Sequence, residues 1–229
     1  MEQLPLLILL LYALYEGLIH AFEADHILAV TNIVSQRTNL LPAIKDGIFW
    51  GLGHTSTIFL IGIIMIVFKV HISTGAFSYF EAAVGLMLIL VASYRLFLFL
   101  RNEQTTLSFH RHNHEHAGEN KRLHTHIHLK DKNLHKASYG IGIVHGLAGS
   151  GTLVVLIMTQ IESIANSILY LIIFGLGSIV GMTCVAGIFS VPFSKKLIVS
   201  KWLRTILVVV SSGLCFAYGC YVVYQNLIN

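Results

Sequence analysis

Apolar runs of twenty or more residues recur along this chain, and its charged residues are gathered between them. A run of that length is what an α-helix needs to cross hydrocarbon about 30 Å thick. Only a segment that satisfies its own backbone hydrogen bonds can stand there. The pattern predicts an all-α polytopic membrane protein with six transmembrane helices, over about residues 4–29, 47–68, 78–100, 139–160, 164–190 and 202–224. Composition agrees: 55% of residues are hydrophobic and 11% are charged, where a soluble domain carries about 25% charged residues. The formal charge of +4 therefore describes the connections. No basic groove with interleaved aromatics exists to suggest nucleic acid as a partner.

The first run reads as a span rather than a cleaved leader, because the first basic residue is Arg37 and a leader needs a basic segment ahead of its apolar core. Cys184, Cys215 and Cys220 lie within apolar runs without C-x-x-C spacing, so they read as packing thiols.

Orientation follows from Lys and Arg. Arg37 and Lys45 lie in the first connection. Arg101, Arg111, Lys121, Arg122, Lys130, Lys132 and Lys136 lie in the third, and Lys195, Lys196 and Lys201 in the fifth. Arg95 and Arg204 stand at helix ends on that same side, and only Lys69 falls on the other. The positive-inside rule makes the first group cytoplasmic and both termini extracytoplasmic.

The two halves of the chain echo one another. Phe49-Trp50-Gly51-Leu52-Gly53-His54 recurs as Ile173-Phe174-Gly175-Leu176-Gly177-Ser178, and His20-Ala21-Phe22 has a counterpart in His145-Gly146-Leu147. A weaker match joins Val84-Gly85-Leu86 to Ser212-Gly213-Leu214. Three spans per copy is an odd number, so the second copy must be inverted, an architecture of transporters that bind substrate between the repeats. The expected organisation is a transmembrane repeat over 1–100, a histidine-rich cytoplasmic loop over 101–138 and a second transmembrane repeat over 139–229.

The first span holds Glu16 and then His20-Ala21-Phe22-Glu23-Ala24-Asp25-His26. Each charged side chain near the bilayer centre costs about 2.5–3.5 kcal/mol on insertion scales, so such residues pair, face a cavity or bind a cation. At about 100° per residue, Glu16, His20 and Glu23 share one helix face, and His26 lies within about 60° of Glu23. Asp25 falls away from His20. Either the helix unwinds after His20, or Asp25 orients a ligand without being one. His54, beside Thr55, Ser56 and Thr57, and His145, ahead of Gly146-Leu147-Ala148-Gly149-Ser150-Gly151, are candidate partners from other spans. Imidazole and carboxylate without thiolate suit a divalent late first-row metal. A proton relay uses the same residue types, so on these residues alone a proton-coupled permease for another solute and a non-transporting, metal-responsive membrane protein stay open. An intramembrane metalloprotease would need H-E-x-x-H on one helix, and that string is absent.

These motifs carry a specific resemblance. His20-x₄-Asp25-His26 is similar to the H-x₄-D-H signature of the nickel/cobalt transporter family. Leu52-Gly53-His54-Thr55-Ser56-Thr57 resembles its L-G-H-S-T motif, and His145-Gly146-Leu147-Ala148-Gly149-Ser150-Gly151 resembles the fourth-span motif of the shorter, urease-associated nickel permeases. The resemblance implies secondary transport of Ni²⁺ or Co²⁺ as substrate, without a cofactor, through His20, Asp25, His26 and His54. Glu23 stands where that family usually carries Asp, and Glu16 and His145 are further candidates. A cytoplasmic metallochaperone is the partner such a permease would serve.

Residues 110–135 hold eight of the thirteen histidines: His110, His112, His114, His116, His124, His126, His128 and His135. Short histidine-rich tracts bind metal, and neutral imidazole is the ligand form, so this loop's affinity is expected to fall below about pH 6.5.

Overall fold

A computed structural model describes residues 6–68, 74–101, 130–147, 161, 163–194 and 200–227, and every regular element among them is helical. In chain order they are α1 (Leu6–His20), α2 (Ala24–Val34), α3 (Leu40–Phe68), α4 (Thr74–Leu100), α5 (Lys130–His145), α6 (Ile164–Ser190) and α7 (Lys201–Leu227). A 3₁₀ turn, Val191–Phe193, follows α6. Among the described residues, four helices (α3, α4, α6 and α7) are long and apolar enough to cross a membrane, five if α1 and α2 count as one bent span. The second half of the expected fourth span, 148–160, lies outside the described residues, as does most of the histidine-rich segment.

Several boundaries differ from those read off the sequence, each for a physical reason. The first span is not one helix over 4–29. It stops at His20, turns through residues 21–23 and resumes at Ala24 with a bend of 53°. Helix α3 starts at Leu40 rather than 47, because Asp46 is paired inside the protein and no longer marks a solvated connection. Pro42 sits in the first turn, where a missing N–H costs nothing. Helix α5 begins at Lys130, which moves His135 from the expected loop onto a helix. Only α6 keeps its expected bounds. Ser163 caps it by accepting from the Asn166 backbone N–H at 3.4 Å, and Pro192 lies in the turn that ends it.

The distribution of side chains is that of a bundle surrounded by hydrocarbon. Leu7, Phe68, Leu100 and Trp202 point outward, whereas His26, His54, His145, Asn32 and Ser178 are fully buried. Polar groups inside and large apolar groups outside reverse the soluble pattern.

Two helix pairs approach so closely that their backbones touch. A Cβ on Gly17 of α1 would collide with the Phe174 carbonyl of α6, and one on Gly142 of α5 would collide with the Trp50 carbonyl of α3. Contacts advance in the same direction along both helices of each pair. Gly17 meets Phe174 and Ser178 while Gly181 meets Leu18 and Ala21; Gly142 meets Trp50 and His54 while Gly146 meets His54 and Thr57. Thus α1 runs parallel to α6, and α5 parallel to α3. Helices α3 and α6 are antiparallel, with Gly47 against Met182–Ala186 and Thr55 against Gly175. Helices α4 and α7 are also antiparallel, joined where Gly85 and Gly219 face each other. Small residues let membrane helices come this near, and dispersion and backbone contacts then hold them.

Candidate metal-ion site

The break between α1 and α2 builds the site. After His20 the chain closes a tight turn, with Phe22 N–H donating to the Ile19 carbonyl at 2.8 Å and Glu23 N–H to the His20 carbonyl at 3.1 Å. Glu23 takes the N-cap position of α2 in extended conformation, yet its carboxylate does not cap the helix. It accepts instead from His20 Nδ1 at 3.0 Å. Asp25, in the first turn of α2, accepts from the His26 backbone N–H and from His26 Nδ1, both at 2.9 Å, through the same oxygen. A negative side chain there also complements the helix dipole. The break thus turns His20 and His26 toward each other, with ring centroids 4.4 Å apart. A straight helix would have splayed them.

Helices α3 and α5 complete the cluster. His54 Nε2 lies 2.9 Å from His20 Nε2, and His145 Nε2 donates to the second oxygen of Asp25 at 3.0 Å. His145 stacks on His26 with centroids 4.1 Å apart. Trp50, one turn before His54, is fully buried and closes one side, 5.4 Å from His26 and 5.7 Å from His145 between ring centroids.

The hydrogen bonds fix the tautomers once the carboxylates are taken as acceptors. His20 and His26 carry the proton on Nδ1 and keep a lone pair on Nε2. His145 carries it on Nε2, and so does His54, which donates to the lone pair of His20. His26 Nε2, His54 Nδ1 and His145 Nδ1 then present lone pairs, and none of the three has a hydrogen-bond partner among the described residues. A buried acceptor without a donor is costly, and a cation placed among the three could satisfy them. A carboxylate holding one imidazole nitrogen while the other faces inward is the arrangement of metal-ligating histidines.

Two overlapping candidate ligand sets, groups that could hold a metal ion, result. His20, His26 and His54 each offer an atom within 4.8 Å of the others, and so do Asp25, His26 and His145. His26 belongs to both. The cluster therefore unites His20, Asp25, His26, His54 and the candidate His145. Glu23, expected as a ligand, is 45% exposed and orients His20 from the rim. Glu16 lies in neither set. His110, His112, His114, His116, His124, His126 and His128 lie outside the described residues. His135 is committed to Asp46, 2.6 Å away, rather than to a histidine tract. Trp50 was not singled out from sequence, although its position four residues before His54, which is one helical turn, was a usable signal.

Comparison with known proteins identifies the lineage. Residues 6–215 match the family model for the high-affinity nickel-transport proteins. This chain belongs to that family. Its members are membrane transporters, so the chain is a permease for a divalent transition metal and not an enzyme. It is also similar to the urease accessory protein UreH of Bacillus sp. (strain TB-90), with 35% identity over 195 residues, which is 85% of this chain and 81% of that protein. No solved structure matches it. The family match covers α1 through most of α7, and so includes every residue of the two ligand sets.

Proposed function

We propose that this nickel-transport protein carries Ni²⁺, and also Co²⁺, through the cluster at the α1–α2 break. His20, His26 and His54 form one station for the ion, and Asp25, His26 and His145 form the next. The observation that carries this reading is the set of three buried imidazole nitrogens left without a partner, on helices α2, α3 and α5. Imidazole nitrogen with carboxylate oxygen, and no thiolate, favours Ni²⁺ and similar borderline ions over Cu⁺. Glu23 and Asp25 set ring orientation, and Asp25 also balances the charge of the ion at the second station.

The helix directions support an inverted repeat. Pairing α1 with α5, α3 with α6 and α4 with α7 gives partners that run oppositely. The Gly17 contact on Phe174 and Ser178 then has its equivalent in the Gly142 contact on Trp50 and His54. His20 and His145 end the two corresponding helices, each followed by a tight turn. Rocking of one half against the other would expose the site to each side in turn. The charge bias of the connections supports a cytoplasmic histidine-rich segment that gathers metal, and similarity to a urease accessory protein supports delivery to a metallochaperone serving a nickel enzyme.

The test is uptake of radioactive nickel into vesicles reconstituted with purified protein. The parent chain accumulates the ion, and His26→Ala abolishes accumulation because both stations lose a ligand. Unchanged accumulation in that variant, at equal protein incorporation, would refute the assignment. A competition series with Co²⁺, Zn²⁺ and Mn²⁺ orders the preference.

A further inference from the structure

A second buried polar group lies apart from the ligand sets. The Asp46 carboxylate, in the second turn of α3, is 1% exposed. It accepts from Arg37 Nε at 2.5 Å and from Arg37 Nη2 at 2.9 Å, a two-pronged pair. His135 Nδ1 of α5 donates to the same carboxylate at 2.6 Å, and the His135 ring stacks on Phe49 with centroids 5.5 Å apart. Arg37 itself is 5% exposed, and its Nη2 also reaches within 3.5 Å of His135 Nδ1.

The position of this group in the bundle gives it meaning. Asp46, Trp50 and His54 succeed one another at intervals of four residues and share one face of α3. His135, Ser138, Gly142 and His145, at intervals of three, four and three residues, likewise share one face of α5. The two helices are parallel and in contact along these faces, as the packing of Gly142 and Gly146 on Trp50, His54 and Thr57 requires. From His54 to Asp46 is about 12 Å along the helix axis, and from His145 to His135 about 15 Å. Along the α3–α5 seam, closed by the contact of Gly142 with the Trp50 carbonyl, the ligand sets are followed by Trp50 with the buried Ser138 and then by Asp46 with His135. The seam ends near the start of α5, and Arg95 of α4 bonds to Ser35, two residues before Arg37.

We propose that Asp46, His135 and Arg37 form the gate of the ion's path at this end. The carboxylate and imidazole receive the passing divalent cation, and the Arg37 guanidinium holds that place while the path is closed. This inference rests on the permease reading above. A buried ion pair is a poor stabilising device, because desolvation of both charges offsets most of their attraction. It is well suited to a switch, because the carboxylate must always have a cation and accepts either one. Arg37 is on the short connection between α2 and α3, outside both helices, so it can withdraw without unwinding either. A divalent ion leaving the site meets first a carboxylate and an imidazole, the same ligand chemistry that held it within.

Cysteine accessibility tests the gate. In protein whose Cys184, Cys215 and Cys220 are replaced by alanine, Ser138→Cys sets a thiol in the seam between the gate and the ligand sets. A charged methanethiosulfonate reagent applied to reconstituted protein should label it slowly. Labelling should rise at least tenfold when Asp46→Asn or Arg37→Ala is added, and rise with added Ni²⁺ when the gate is intact. Equal rates with and without these substitutions would overturn the proposal. Arg37→Ala removes the closing guanidinium, keeps the His135–Asp46 hydrogen bond and carries the test alone if Asp46→Asn does not accumulate. The readout needs no transport, so its failure is distinct from that of the permease reading, which the His26→Ala vesicle experiment measures.

Discussion

The second oxygen of Asp25 takes a hydrogen bond from His145 Nε2 at 3.0 Å, joining residues 120 positions apart across the two halves of the chain. The first oxygen holds His26 Nδ1 at 2.9 Å. One carboxylate thus sets two imidazoles that stack on each other.

Asp25→Asn should therefore do more than remove a charge. The amide cannot accept on both sides, so at least one ring loses its orientation. Losing such an orienting group typically costs about 10–100-fold in metal affinity or activity. Nickel uptake by cells carrying Asp25→Asn, at matched protein level, should fall by at least tenfold. Uptake within twofold of the parent would remove Asp25 from the site.

The shared ligand predicts an order of damage. His26→Ala breaks both ligand sets, whereas His54→Ala and His145→Ala break one each. Calorimetric titration of purified protein with Ni²⁺ should give the weakest binding for His26→Ala. Equal loss in all three variants would argue for a single, undivided site.

Two glycines on one helix should respond oppositely. A Cβ at Gly140 meets nothing within 4 Å, so Gly140→Ala should be neutral or stabilising by up to about 1 kcal/mol through helix propensity. At Gly142 the same methyl runs into the Trp50 carbonyl, and the α3–α5 contact must open. Thermal unfolding in detergent should show Gly142→Ala several degrees less stable than Gly140→Ala. Equal stability would contradict the close packing of these helices.

Glu23 offers a milder test. It holds His20 Nδ1 from a half-exposed position at the rim. Glu23→Gln retains an acceptor and should reduce nickel uptake by only a few fold, whereas Glu23→Ala frees the ring and should reduce it about tenfold or more. Equal uptake in the two variants would count against an orienting role.

Much of this site was legible in the sequence. Five ionisable residues between Glu16 and His26 could not reach one point from a straight helix, and the chain breaks after His20 as that geometry allowed. What local pattern could not supply was pairing across distance. Arg37 and Lys45 marked a connection by charge, but Arg37 pairs with Asp46, which also holds His135, 89 residues away, and α3 extends over Lys45 and Asp46. His135 sat in a run of histidines, and neither its place in α5 nor its contact with Asp46 could be read from that run. Hydropathy sees a charge and infers water. It cannot see the partner that makes water unnecessary.

If His26 serves both stations, the cation in transit is never stripped of protein donors. It moves by exchanging two of three ligands while the third stays attached, as a climber shifts holds with one hand fixed. Tight capture and quick release then cease to be opposed, since the barrier to passage is set by the difference between neighbouring holds and not by the depth of either.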